Sequence, residues 1–108
     1  MRHVLAGFAG LASALLGFAA AAQQVGDPAA GRRLAEAWCS QCHAIGPGAS
    51  GPESGAAPGF PAVAEMPSTT AMSLHAFLRT PHARMPDIQM TPHQLDDLIA
   101  YILSLQNR

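Results

Sequence analysis

Cys39-Ser40-Gln41-Cys42-His43 decides the reading of this chain. The stretch holds both cysteines of the protein, and a histidine directly follows the second. This C-x-x-C-H spacing is the attachment signature of a c-type haem. Two thiols so spaced can each add across one vinyl group of the same porphyrin, forming two thioethers. The next residue then lies under the ring, where a neutral imidazole nitrogen reaches the iron. Cys39 and Cys42 are the candidate anchors of one covalent haem c, and His43 is its candidate proximal ligand. Three plainer readings compete. A thiol–disulfide centre wants a βαβ context and gives His43 no role. A structural zinc site needs four ligands, and there is no second Cys-rich pair. The third is a simple structural disulfide in an exported protein.

Upstream of this motif, Met1-Arg2-His3 precedes an apolar run from Val4 to Ala22, which turns polar at Gln23-Gln24. Ala20-Ala21-Ala22 suits a signal peptidase, so residues 1–22 read as a signal peptide and 23–108 as one domain. The run approaches the ~20 residues that span a bilayer. Its four Gly or Ser residues and alanine tail make it a weak anchor. A membrane-anchored form is the alternative, should residues 4–22 be retained. Export to the periplasm suits the motif, because c-type haem is attached outside the cytoplasm. Removing 22 of 108 residues leaves 86, a marginal length for a core of side chains alone. A porphyrin would complete that core. This domain has five arginines, no lysine and seven acidic residues, a formal charge of −2. No basic surface for nucleic acid is present.

Downstream of the leader, Asp27-Pro28 predicts a helix start, with the helix running to about Trp38. Leu34, Ala35 and Ala37 are its apolar positions. Gly31 costs about 1 kcal/mol against alanine there; it reflects either sequence drift or another helix crossing closely at that point. Residues 44–67 are rich in Gly and Pro, which forbids a long helix or a central strand. Such a loop fits the edge of a haem, with Phe60, Val63 and Met66 turned inward or forming a small satellite core. A second helix is expected over about 70–79, with Met72, Leu74, Ala76, Phe77 and Leu78 on its apolar side. Thr91-Pro92-His93-Gln94 is a capping-box start for the last helix. Leu95, Leu98, Ile99, Ile102 and Leu103 follow at helical spacing, and Tyr101 and Leu105 extend the buried side. Asp96 and Asp97 are expected to favour the helix dipole, and His75 and His93 to be exposed without a role. The fold class is therefore all-α, three main helices with long Gly/Pro-rich loops around one haem.

A sixth iron ligand must come from Met66, Met72, Met85 or Met90. Met72 reads as core, and Met66 follows His43 too closely in the haem-wrapping loop. Met85 precedes Pro86 in the loop between the second and last helices, so it is preferred; Met90, beside the last cap, is the alternative. A thioether ligand raises the potential and closes the iron to substrate.

The whole of residues 23–108 resembles a small bacterial class I cytochrome c. The resemblance rests on Gly31 in the first helix, Cys39-Ser40-Gln41-Cys42-His43, the Gly/Pro loop, Met85-Pro86 and Asp97-Leu98-Ile99-Ala100-Tyr101-Ile102. It implies a cytochrome c fold in which the first and last helices cross with Gly31 against Tyr101. It implies that a proline carbonyl after the motif, Pro47 or Pro52, accepts the free N–H of His43. Ala35 stands where the family often has an aromatic, and the middle loop lacks the Trp or Tyr that often bind propionates; Arg79, His82 or Arg84 are the substitutes. The implied function is a periplasmic one-electron carrier, not an enzyme. Its partners would be redox proteins: a donor dehydrogenase or reductase and an acceptor oxidase or reductase. Trp38 would lie at the exposed haem edge as an apolar docking contact, with little salt dependence. The rivals are a peroxidase-like haem enzyme, with His82 as distal group, and a sensor; both need an open iron site.

Overall fold

A computed structural model describes residues 25–48, 57–82 and 84–107. The expected signal peptide lies outside these residues. Among them are four helices and no strand: α1 (Pro28–Trp38), α2 (Phe60–Glu65), α3 (Ala71–Leu78) and α4 (Pro92–Ser104). None of these is long and apolar enough to cross a membrane. The chain is all-α, as expected. The three main helices are joined by short α2, inside the Gly/Pro-rich stretch. Pro61 is compatible with it because proline near a helix N-terminus loses a hydrogen bond that would be absent anyway.

The helix starts follow local chemistry. Asp27 caps α1 by accepting from Ala29 N. Thr70 and Ser73 form a reciprocal capping box on α3, and Thr91 and Gln94 form one on α4. Each satisfies N–H groups that a helix end leaves without partners.

The contacts between helices run through α4, which meets α1 most extensively and also α2 and α3. Its residues Leu95, Leu98, Ile99, Tyr101 and Ile102 make half of the buried core, with Ala35, Cys39, Phe60, Ala64 and Leu74 from the other segments. Gly31 is the closest point of the α1–α4 crossing. A Cβ there would stand 1.9 Å from the Asp97 carbonyl oxygen and 2.8 Å from Tyr101 Cβ. The expected pairing of Gly31 with Tyr101 is thus present, and backbone lies closer still.

Several expectations on the helix faces are corrected. Ala37, Ala76 and Phe77 are exposed, and Met72, read as core, is 82% exposed. Helix α3 buries only Leu74 fully, because it meets α4 along a narrow stripe. Met66 ends α2 in extended backbone and points largely to solvent, whereas Phe60 is buried and Val63 packs on the core. Asp96 and Asp97 lie beyond the first turn of α4, and Asp97 has another role. It is buried, and its Oδ1 accepts from Asp27 N at 2.8 Å, tying the start of α1 to α4. His93 is exposed as expected and His75 is half-buried; His93 Nε2 lies 3.6 Å from Asp97 Oδ2, and His75 Nε2 lies 3.1 Å from Asp96 Oδ1.

Candidate functional site

The motif begins where α1 ends. Cys39 is the C-cap of α1, and the chain continues as one more turn, with Cys42 N and His43 N both donating to the Cys39 carbonyl at 3.1 and 2.9 Å. Residues at i, i+3 and i+4 of such a turn share a face. The turn therefore gathers Cys39, Cys42 and His43 together. Cys39 is buried and Cys42 exposed, and no disulfide joins them.

Burial pushes the Cys39 thiol above its ordinary range, and the neighbouring Cys42 pushes it further. The location agrees, since a helix C-terminus repels a thiolate. A thiol–disulfide centre needs the opposite, a depressed pKa commonly set at a helix N-terminus. The raised Cys39 thiol counts against the disulfide-exchange reading.

His43 is held from the far side of a loop. Its Nδ1 lies 2.7 Å from the Pro58 carbonyl oxygen. A carbonyl only accepts, so Nδ1 carries the proton. In the neutral ring that leaves the Nε2 lone pair available to a metal. The expected partners were Pro47 or Pro52; the structure gives Pro58. Phe60 N donates to the Ala44 carbonyl at 2.8 Å, and this bond closes the loop and returns Pro58 beside His43. The Phe60 ring then packs on the imidazole, centroids 5.3 Å apart. Proline position along the chain could not reveal this, because loop closure, not sequence distance, selects the carbonyl.

Met85 is carried by a different element, the loop between α3 and α4. It is half-buried and forms an isolated antiparallel bridge with His82. Met90 packs against the core cluster instead. His82 is half-buried with its ring on Phe77, while Arg79 and Arg84 are exposed. Trp38 is 40% exposed at the end of α1. Arg32, on the same helix, is engaged with Glu36 at 2.9 Å.

Soft thiols and an oriented imidazole on one turn, beneath a first and last helix locked at a glycine, fit a haem and define a class I c-type cytochrome. The chain belongs to the family described as cytochrome c oxidase, cbb3-type, subunit III, which matches residues 26–102. It is 35% identical over 80 residues to cytochrome c-552 of Bradyrhizobium diazoefficiens, covering 74% of this chain and 76% of that protein. No solved structure gives a significant match. Membership implies a covalently bound haem c and a place in electron transport.

Proposed function

We propose that the chain is a periplasmic one-electron carrier in which Cys39 and Cys42 hold the haem through thioethers and His43 and Met85 bind its iron. The observation that carries this reading is the His43 Nδ1–Pro58 oxygen contact of 2.7 Å. It fixes the ring orientation and the tautomer, and a donor N–H held by a carbonyl raises the basicity of the ligating nitrogen. The haem would supply a couple between Fe(II) and Fe(III). The protein's part is to keep its ligand positions alike in both states and to leave one edge accessible.

Met85 is favoured over Met90 because Met90 is engaged in the core. The stack of His82 on Phe77 counts against His82 as the distal group of a peroxidase-like site. Arg79 and Arg84 are the cations available to haem propionates. The exposure of Trp38 and the pairing of Arg32 support apolar docking of redox partners over charge steering. Transfer rates that fall steeply with added salt would count against that docking mode.

The test compares Met85→Ala with Met90→Ala in the exported holoprotein. Met85→Ala should lower the midpoint potential and admit azide or carbon monoxide, while Met90→Ala should do neither. A swapped pair of results would move the ligand to Met90. Haem that leaves with acidic ketone after denaturation would remove the thioethers from the reading.

A further inference from the structure

Among its described residues, the loop that carries Met85 has little backbone support of its own. Pro81 and Pro86 stand at its two ends and donate no backbone hydrogen bond. The turn from His82 to Met85 is closed by Met85 N on the His82 carbonyl at 3.4 Å, longer than an ordinary N–H···O bond. Arg84 stands at φ 72°, a left-handed conformation that a non-glycine residue holds only when its surroundings impose it.

The turn is met from α3 by a ring contact. Phe77 stands at the end of that helix, outside the cluster of buried side chains. Its ring lies on His82, with the two planes tilted by 43°. The helix end beneath it is well fixed. Thr80 N donates to the Phe77 carbonyl at 3.2 Å, and Thr80 Oγ1 donates to the Ala76 carbonyl at 2.7 Å. Leu74 and the His75–Asp96 contact hold α3 on α4. A continuous mechanical path therefore runs from α4 through α3 and the two rings to the turn at Met85.

We infer that the Phe77–His82 stack is the clasp that positions Met85, so that both are positioning residues for the sixth ligand. The inference rests on the reading of Met85 as that ligand. A thioether competes with small external ligands for one position, and its hold depends on how narrowly its loop is placed. When the clasp is removed, the open arrangement is populated more often. The apparent affinity for an external ligand rises in proportion to that population.

The experiment is an azide titration of the oxidised holoprotein, with thermal unfolding measured alongside. Phe77→Ala and His82→Ala should each tighten azide binding about threefold to tenfold, the range expected for loss of one ring pair. The double variant should add little to either, because both break the same contact. Phe77→Tyr and His82→Phe keep a ring pair and should bind azide like the parent, which separates positioning from a loss of folding. Met72→Ala, on the same helix but outside the clasp, should change nothing. Unchanged azide affinity in both alanine variants would overturn the inference, as would an equal gain in Met72→Ala. Met85→Ala distinguishes the two levels. If it leaves azide binding unaltered, the ligand reading fails and the clasp with it. If it opens the site while Phe77→Ala and His82→Ala are silent, only the clasp fails.

Discussion

The α1–α4 crossing and the Met85 loop are built on opposite principles. At the crossing, backbone meets backbone. Gly31 faces the Asp97 carbonyl, Asp97 Oδ1 accepts from Asp27 N, and the Tyr101 hydroxyl donates to the Ile45 carbonyl at 2.6 Å. Gly31, Asp97 and Tyr101 are buried, and the two hydrogen bonds are partly buried. In the Met85 loop the described residues are exposed or half-buried, and among them one backbone bond is long and one residue is left-handed. The crossing can define one geometry by itself. The loop has a ring contact, Phe77 on His82, where the crossing has backbone contacts. A carrier that must hold its ligands alike in two oxidation states can accept this division, because the crossing fixes the scaffold on which the ligand-bearing segments rest.

Glycine substitutions test the contrast from both sides. Alanine in a helix interior is ordinarily better than glycine by about 0.5–1 kcal/mol. At Gly31 the sign should reverse. The added Cβ would press on the Asp97 carbonyl, which is backbone and cannot rotate away. Gly31→Ala is expected to cost about 3 kcal/mol or more, or to prevent folding. Urea unfolding of the holoprotein measures it, and a variant as stable as the parent would mean the helices stand further apart than described.

The next effect is smaller and depends on pH. Tyr101→Phe removes the donor to the Ile45 carbonyl and should cost about 1–2 kcal/mol near neutrality. Burial holds the Tyr101 phenol above its ordinary range, with Arg32 lowering and Glu36 raising it in smaller measure. A raised pKa means that the folded state keeps this proton more tightly than the unfolded chain. The associated stability is complete below about pH 10 and is lost as pH rises through the folded value. Unfolding free energy should therefore fall faster above about pH 10 in the parent than in Tyr101→Phe. Parallel curves would show that the phenol does not sense the crossing.

The smallest effect belongs to the loop. Arg84→Gly relieves a left-handed residue at the expense of chain entropy, so stability should range from unchanged to a gain of about 1 kcal/mol. A loss beyond about 1 kcal/mol would assign the exposed Arg84 side chain a structural contact, and the loop would be less open to change than the crossing contrast implies.

Short-range chemistry was legible from the residues alone. Asp27-Pro28 and Thr91-Pro92-His93-Gln94 mark the helix starts, because caps act within one turn. Cys39, Cys42 and His43 identify a haem motif through a spacing that one turn brings onto one face. The period of Leu95, Leu98, Ile99 and Ile102 gives the buried side of α4. What tertiary structure alone decided are partnerships across long separations. Pro58 reaches His43 over 15 residues, Tyr101 reaches Ile45 over 56, and Asp97 reaches Asp27 over 70. No periodicity encodes which carbonyl or amide will be opposite when a loop closes. The same holds for Met72 and Phe77, whose apolar character fits a core. One is left in solvent and the other meets a histidine ring, because α3 touches α4 along a narrow stripe.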